Sequence, residues 1–300
     1  MSDLKIGFVG AGRMGSPMVR FMLKAGYAIT VCDPDPSMRA KAKSHGAKEA
    51  ATIADCVRAS DVVFSSLPND KILREAALGA GGIVESAERG TIYIETSTVS
   101  AGVSAAIAEA AVTRGVVYLR MPVSGNSFSA EKGEVTALVS GPRDAWDRVK
   151  PAVEKFSTAQ VYVGEGEQAR YMKLVINLLV ANSAVLMAEA LALGRKGGIE
   201  WSTMLDGLSA STIGSPWVKA KAALLKKGDF TPTFTPMQLC KDVDLMLEAG
   251  DELGVPMPLT ATTRQWMKAT AAGGYADEDF IAVVKLFEQL SGLPTDFPRS

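Results

Sequence analysis

Residues 5–33, KIGFVGAGRMGSPMVRFMLKAGYAITVCD, decide the fold of this chain. A β-rich run leads into the glycines Gly10, Gly12 and Gly15 in G-x-G-x-x-G spacing, and a helical run and a second β-rich run follow. Asp33 ends that second run, 18 residues after Gly15. A strand, a glycine turn, a helix and a second strand ending in a carboxylate predict the βαβ unit that binds dinucleotides.

Each part of the glycine turn has an expected role toward a dinucleotide. Gly10 permits the tight turn, Gly12 lets the backbone approach the pyrophosphate, and Gly15 lets the helix pack against the strand. The backbone amides at the helix N-terminus, with Arg13 and Met14 in the turn, are expected to face the phosphates.

Asp33 predicts which dinucleotide is bound. Its carboxylate would accept hydrogen bonds from the adenosine ribose hydroxyls and would repel a 2′-phosphate, so NAD is favoured over NADP. Arg39 and Lys41 lie nearby in a polar helical run. They either reach a 2′-phosphate or are simply solvated.

Two further segments lie where ligands dock against such a sheet. Leu67 and Pro68 follow the run DVVFSS, and Thr98 follows TIYIE, so all three are expected beside the cofactor at the carboxyl edge. For Thr98 and Ser100, capping of the next helix is an equally good explanation.

Alternating β-rich and helical runs predict the architecture of the first half. Residues 1–165 indicate a Rossmann-type, doubly wound parallel sheet, because apolar strands alternate with helices. From Gln168 onward the pattern is helical, beginning with a long apolar run to Lys196. We therefore expect an α/β dinucleotide-binding domain at 1–165 and an all-α domain at 166–300, with a long interdomain helix. The apolar helical domain predicts a homodimer or homotetramer.

Composition excludes several classes of function. A formal net charge of -1 and a pI near 6.0 offer no basic surface for nucleic acid and no charged block for a membrane. Asn182 and Glu189 interrupt the long apolar run, which favours a buried helix over a membrane span. No targeting segment is visible, and the cysteines are isolated from one another, so we expect a cytoplasmic protein without a disulfide framework or metal site.

The scarcity of histidine narrows the chemistry further. The single histidine, His45, lies in a polar helical segment where surface placement is the plain explanation. Ser-His-Asp, Cys-His and histidine–metal chemistries are thereby excluded. Any acid or base must then be a Lys, Tyr, Asp, Glu or Cys side chain. Lys173 is one candidate, because it is a charged residue on a mostly apolar helix, with Asn177 one helical turn further along the same face.

Four landmarks in this order resemble the β-hydroxyacid dehydrogenases related to 3-hydroxyisobutyrate dehydrogenase and tartronate semialdehyde reductase. They are the glycine segment, the loop Pro122-Val123-Ser124-Gly125, the helix with Lys173 and Asn177, and Lys241-Asp242. The resemblance spans almost the whole chain. It implies hydride transfer between a nicotinamide and a small hydroxyacid or its semialdehyde.

The resemblance also implies roles for two residues of the long helix. Lys173 would be the general acid/base, in agreement with the lack of a suitable histidine. A free lysine is a poor base at neutral pH, but burial beside a positive nicotinamide ring would lower its pKa toward neutrality. Asn177 would orient the substrate or the lysine, unless its amide is only satisfied within a packing seam.

The expected substrate contacts come from the loop and from the second domain. Ser124 and the backbone amides of Gly125 and Asn126 would receive the substrate carboxylate, although a plain turn explains the loop equally well. Lys241 would reach the substrate or the cofactor, with an ion pair to a neighbouring aspartate as the alternative.

The chain departs from the family pattern near the substrate loop and the lysine helix. The family loop commonly reads D-A-P-V-S-G-G, and the family helix has two adjacent asparagines after a glycine-rich turn. The differing positions are Arg120, Met121, Asn126, Glu167, Ala169 and Ile176. We expect these changes to leave the acid/base residues intact, so the question that they raise is which substrate is bound.

Three other functions compete with a 3-hydroxyisobutyrate-like substrate. Tartronate semialdehyde and other short semialdehydes share its carboxylate and its reacting oxygen. An imine reductase is disfavoured because such relatives tend to lack the lysine at position 173. A non-catalytic NAD(H)-binding sensor or scaffold is disfavoured because Lys173 and Ser124 are both present.

Overall fold

The chain divides into two compact units. The computed structural model describes residues 4–295, and the division falls between Ile176 and Asn177. That point lies within one long helix. The domain boundary expected at 165/166 stays a prediction of the sequence.

Among residues 4–295, nine strands form one sheet, which lies in the first unit. They are β1 (Lys5–Val9), β2 (Ala28–Cys32), β3 (Lys48–Glu49), β4 (Val62–Ser65), β5 (Ile92–Glu95), β6 (Val117–Arg120), β7 (Val123–Ser124), β8 (Val135–Ser140) and β9 (Ser157–Gly164). Their order is β3-β2-β1-β4-β5-β6-β8-β7, with β9 paired to β8. The expected doubly wound sheet is confirmed, although the two-residue β3 was not anticipated.

One end of the sheet is mixed. The strands from β3 to β6 pair in parallel, whereas β8 is antiparallel to both β6 and β7. Residues 125–134 alone connect β7 to β8, and a parallel crossover needs about a dozen residues or more. The short connection therefore explains the antiparallel pairing that the sequence did not reveal.

Eight helices lie within the described part of the first unit, and several of them begin at a side chain that caps the helix. They are α1 (Gly15–Lys24), α2 (Pro36–Ser44), α3 (Ile53–Arg58), α4 (Asp70–Leu78), α5 (Ile83–Ser86), α6 (Ala101–Arg114), α7 (Ser127–Lys132) and α8 (Arg143–Val153). Asp35, Asn69 and Ser100 accept backbone N–H groups at the starts of α2, α4 and α6. Helices α3, α5 and α7 have only six, four and six residues, too few for the sequence to show a helical periodicity.

Both faces of the sheet are buried. Phe64 of β4 packs in one core with Phe8, and their stacked rings lie 5.7 Å apart. The preceding residue, Val63, lies in the second core together with Tyr93 and Tyr118. Successive strand residues point to opposite faces, so burial of both explains the continuous apolar runs.

Helix α9 (Gln168–Lys196) begins at the residue that the sequence predicted. It is followed by α10 (Trp201–Ala210), α11 (Pro216–Lys227), α12 (Pro236–Leu253), α13 (Pro258–Thr270) and α14 (Val283–Leu290). Between α13 and α14 lie a π-helical turn at Ala271–Tyr275 and a 3-10 turn at Phe280–Ala282. No strand occurs in the described part of the second unit, up to residue 295.

Helix α9 is the one described helix that is long and apolar enough to cross a membrane, judged by length and composition alone. Core helices of soluble proteins meet the same criteria. Asn182 of α9 is buried and accepts a 2.6 Å hydrogen bond from the hydroxyl of Thr263 on α13. Its amide nitrogen donates to the Thr260 hydroxyl at 3.3 Å. This part of α9 therefore packs against another helix of the second unit.

Candidate active site

The glycine turn between β1 and α1 has the geometry of a phosphate cradle. Gly10 has a φ of +90°, and a Cβ there would lie 2.4 Å from the carbonyl oxygen of Ser66. A Cβ on Gly15 would lie 2.2 Å from the carbonyl oxygen of Gly10. A Cβ on Gly12 would meet no protein atom within 4 Å. Two glycines are thus required by the fold itself, whereas Gly12 keeps a space open at the helix N-terminus, as a dinucleotide pyrophosphate needs.

Asp33 lies against this turn. Its carboxylate is buried and accepts the backbone N–H of Ala11 at 2.6 Å and that of Asp35 at 2.9 Å. A carboxylate offers about four acceptor directions, so two are left for ribose hydroxyls. Arg39 donates to the backbone oxygen of Asp33 at 2.6 Å and pairs with Glu49 at 2.6 Å. The Arg39 guanidinium is therefore held by protein partners instead of being freely solvated.

The loops after β4 and β5 are joined through Ser97. Its hydroxyl accepts the backbone N–H of Leu67 at 2.7 Å, and its own N–H donates to the Glu95 carboxylate at 2.7 Å. Ser100 caps α6 and also bonds to the carboxylate of Asp70. The capping alternative is thus met at Ser100, and the expected cofactor loops are fastened to each other at the carboxyl edge of the sheet.

The substrate loop follows β7. Gly125 has a φ of +143°, and a Cβ there would lie 2.6 Å from the Ser129 hydroxyl, so the loop needs glycine at this point. Asn126 caps α7: its side chain accepts the Ser129 N–H, and its own N–H donates to the Ser129 hydroxyl at 2.8 Å. The Asn126 amide expected to receive a carboxylate is therefore already engaged in a capping box. Ser124 is half-buried at the end of β7.

Lys173 is buried within the second turn of α9, with 6% of its surface exposed. Arg170, three residues earlier, is completely buried and forms an ion pair with Glu95 at 2.5 Å. It also donates to the backbone oxygen of Ser97 at 2.8 Å and to the Tyr118 hydroxyl at 3.1 Å. The first turn of α9 is therefore attached to the loop after β5.

Sequence reasoning missed the Arg170 cluster. Burial by itself would lower the pKa of Arg170, but the Glu95 carboxylate and the Tyr118 oxygen raise that pKa above its ordinary value. Burial also raises the pKa of Tyr118. The guanidinium is thus charged and the phenol neutral. A glutamate ending the otherwise apolar strand TIYIE was the one signal that a buried cation had to lie nearby.

Two of the departures from the family pattern bind each other. The Nε atom of Arg120 donates to Glu167 at 2.8 Å, and Nη2 donates to the same oxygen. The Arg120 guanidinium also lies 4.7 Å from the centre of the Tyr118 ring. A third departure, Met121, is a fully buried core residue. The charge of Arg120 is therefore neutralised within the protein.

In the second unit, Asn177 and Lys241 meet at one carboxylate. The Asn177 amide nitrogen donates to Asp242 at 2.7 Å, and the Lys241 ammonium lies 2.8 Å from the other carboxylate oxygen. Asp242 is buried, whereas Lys241 is about a third exposed. Because the amide nitrogen faces Asp242, the Asn177 side-chain oxygen points away from that carboxylate. The ion pair considered as an alternative for Lys241 is present.

The structure thus gathers the expected residues within each unit. The loops at the carboxyl edge of β1, β2, β4 and β5 carry Gly10, Gly12, Arg13, Met14, Asp33, Leu67, Pro68 and Thr98, and Gly15 is the first residue of α1. Among residues 4–295, no group of three His, Cys, Asp or Glu side chains is arranged to hold a metal ion.

Known proteins match both units. Residues 5–164 match the family model described as the NAD-binding domain of 6-phosphogluconate dehydrogenase. Residues 167–287 match the model described as NAD-binding of NADP-dependent 3-hydroxyisobutyrate dehydrogenase. The chain belongs to the β-hydroxyacid dehydrogenase family. It is accordingly an NAD(P)-dependent oxidoreductase, as the sequence predicted.

Individual relatives agree with this placement. The 2-(hydroxymethyl)glutarate dehydrogenase of Eubacterium barkeri is 33% identical over 97% of both chains. Glyoxylate/succinic semialdehyde reductase 1 of Arabidopsis thaliana is 29% identical over 94% of this chain and 98% of its own. The Mycobacterium tuberculosis 3-hydroxyisobutyrate dehydrogenase solved with L-serine superposes with a TM-score of 0.85 at 26% identity, covering 94% of this chain and 98% of its own.

Proposed function

We propose that this chain is an NAD-dependent dehydrogenase of a small β-hydroxyacid, close to 3-hydroxyisobutyrate in size, with Lys173 as its general acid/base. The observation that carries the proposal is a buried lysine on α9, three residues after the arginine that anchors that helix beside the expected cofactor loops. A lysine can take up and return a proton, whereas an arginine stays charged.

The residues of the first unit fit a bound NAD. The opening at Gly12 would receive the pyrophosphate, and the amides at the start of α1 would donate to it. The remaining acceptor directions of Asp33 would bind the ribose hydroxyls and would oppose a 2′-phosphate. Bound nicotinamide supplies the hydride acceptor for the oxidation.

The remaining steps belong to side chains of this chain. Lys173, in its neutral form, would take the proton of the substrate hydroxyl as the carbonyl forms, and would return it in the reverse direction. Ser124 and the Gly125 amide are proposed to hold the substrate carboxylate. In the second unit, Asp242 orients the Asn177 amide, so that the Asn177 oxygen is available to accept a hydrogen bond.

Reduction of a short semialdehyde is the second candidate function. The name of the Arabidopsis relative, which is 29% identical, supports it. Tartronate semialdehyde and succinic semialdehyde carry the same carboxylate as the hydroxyacids and would use the same residues in the reverse direction. The two candidates therefore differ in substrate and not in mechanism.

Turnover by the Lys173→Ala variant tests the acid/base assignment. We expect kcat to fall by about 100- to 10,000-fold, the usual contribution of a general acid/base. The NADH concentration that gives half-maximal quenching of protein fluorescence should be the same as for the wild type. Near wild-type turnover by a variant that binds NADH normally would disprove the role of Lys173.

A substrate panel tests the rest of the proposal. 3-Hydroxyisobutyrate, glycerate, 2-(hydroxymethyl)glutarate and the corresponding semialdehydes would be assayed with NAD(H) and NADP(H) separately. We expect the highest kcat/KM with a short β-hydroxyacid or its semialdehyde and with NAD(H). NADH binding without turnover of any compound would instead support the non-catalytic sensor.

A further inference from the structure

Four buried or nearly buried charges alternate in sign around the first turn of α9. Glu95 and Arg120 are the last residues of β5 and β6 and are direct partners in the strand register. Arg120 pairs with Glu167, and Arg170 pairs with Glu95. Glu167 and Arg170 are also joined along the chain, since the Arg170 N–H donates to the Glu167 backbone oxygen at 2.9 Å. We call Glu95, Arg120, Glu167 and Arg170 the charge ring.

The charge ring is not an efficient way to stabilise the folded state. Removing charges from water costs several kcal/mol for each ion, and buried ion pairs can often be replaced by apolar side chains without loss of stability. Glu95 and Arg170 are 0% and 1% exposed, and Arg120 and Glu167 are 9% and 18% exposed. The ring therefore needs an explanation other than stability.

The contacts of the charge ring fix the position of the start of α9. Arg170 spreads its guanidinium over Glu95, the Ser97 carbonyl and the Tyr118 hydroxyl, which fixes both the rotation and the height of the first turn of α9. Glu167 is the residue immediately before α9, and its carboxylate binds Arg120 at the end of β6. Because Lys173 follows Arg170 by less than one helical turn, its direction is set by the same contacts.

We propose that the charge ring is a positioning device that aims Lys173 at the reacting atoms beside the loop after β5. None of its four residues touches the reacting atoms in this assignment; they act through the helix that carries Lys173. The inference rests on the proposed function, because it requires Lys173 to be the acid/base. Displacement of a reacting group by about 1 Å is enough to lower turnover about 100-fold.

The decisive variant replaces one side of the ring by apolar residues of similar volume. In the double variant Glu95→Leu/Arg170→Met, assayed at saturating NAD(H), we expect kcat to fall about 100-fold and the melting temperature to stay within about 4 °C of wild type. Any loosening of the cofactor loops through Ser97 raises the KM for NAD(H) and leaves this kcat comparison valid. Unchanged kcat in this folded variant would overturn the proposal. A fall in melting temperature and kcat together, in proportion, would assign the ring to stability and would also overturn it.

A milder variant covers the case in which the double variant fails to fold. Arg170→Lys keeps a charge opposite Glu95 but cannot also reach the Ser97 carbonyl and the Tyr118 hydroxyl. We expect kcat to fall about tenfold in this variant, and wild-type kcat would refute the proposal. The matched control is Arg195→Lys, which alters an arginine–glutamate pair with Glu288 at the other end of the same helix. It should leave kcat within about twofold.

Parallel assay of Lys173→Ala separates the two hypotheses. If that variant keeps its turnover, the proposed function fails. If it loses turnover while both charge-ring variants keep theirs, the positioning role alone is wrong.

Discussion

Alanine substitutions at Gly12 and Gly15 should separate cofactor binding from folding. An alanine at Gly15 would place its Cβ 2.2 Å from the backbone oxygen of Gly10 and 2.8 Å from the ring of Phe8. Contacts below 3.0 Å to backbone cannot be accommodated unless α1 moves away from β1. Overpacking of this kind costs about 1 to 3 kcal/mol, which lowers the melting temperature of a unit of this size by about 2 to 12 °C.

An alanine at Gly12 should behave in the opposite way. Gly12 is not among the glycines with positive φ, and its Cβ would meet no protein atom within 4 Å. Replacing glycine where alanine fits stabilises a protein by about 0.4 to 1 kcal/mol, through the unfolded chain. The methyl group would, however, fill the space expected for the pyrophosphate. Each charge-assisted hydrogen bond lost there is worth about 1.5 to 3 kcal/mol, or about 10- to 150-fold in NADH affinity.

Fluorescence titration with NADH and thermal melting measure the two effects on the same samples. Gly12→Ala should melt at or above the wild-type temperature and bind NADH at least about 10-fold more weakly. Gly15→Ala should lose both stability and affinity. Wild-type NADH affinity in Gly12→Ala would refute the assignment of the open space to the pyrophosphate, and wild-type stability in Gly15→Ala would refute the steric argument.

Three further predictions concern cofactor choice, thiol reactivity and assembly. Asp33→Ser should lower the ratio of kcat/KM with NAD to kcat/KM with NADP by about 5- to 900-fold, because it removes a repulsion of about 1 to 4 kcal/mol between the carboxylate and the 2′-phosphate. The control is Asp35→Asn, in the same loop. An unchanged ratio in Asp33→Ser would contradict the assignment. Burial raises the pKa of Cys56 to about 12, so its thiol should resist iodoacetamide at pH 8 until the protein is unfolded; mass spectrometry of the labelled peptide would reveal any native reaction. Leu186 is an exposed apolar residue of α9, so Leu186→Asp should reduce the mass measured by light scattering to that of a monomer. The control is Val112→Asp, at an exposed site on α6, which should leave the mass unchanged. A monomeric wild-type protein would refute this prediction.

The assembly prediction follows from one face of α9. Leu179, Leu186 and Leu193 follow one another at seven-residue spacing and are each more than half exposed. Seven residues make nearly two helical turns, so these leucines share one face of α9. A face of this kind is the surface through which the predicted homodimer or homotetramer would form, and light scattering distinguishes a monomer, a dimer and a tetramer.

Local sequence was sufficient for the parts of the fold that depend on neighbours in the chain. The glycine turn and Asp33 lie within one βαβ unit, and each required conformation leaves a mark on residue choice. Gly10 needs a positive φ, and Gly15 needs a missing Cβ. Helix α9 was equally predictable, because a long apolar run from Gln168 permits few alternatives.

Pairings between distant residues left only an incomplete mark: Glu95 at the end of an apolar strand indicates a buried cation but does not identify it. Nothing near Arg170 indicates that its partner is Glu95, because that contact depends on how α9 is placed against the carboxyl edge of the sheet. The antiparallel β7 and β8 were missed for a related reason. Their side-chain pattern is compatible with either direction, and only the short connection between them excludes a parallel pairing.

Three of the departures from the family pattern make contacts within the protein. Taken one at a time, Arg120 and Glu167 suggest a new charge for a new substrate. The structure pairs them at the start of α9, so each neutralises the other and neither offers a free charge to a ligand. Asn126 is similarly engaged, as the cap of α7. The proposed carboxylate contacts, Ser124 and Gly125, are the positions where the chain keeps the family residues. Arg120 and Glu167 thus support the start of the lysine helix, and Asn126 supports the loop through its cap.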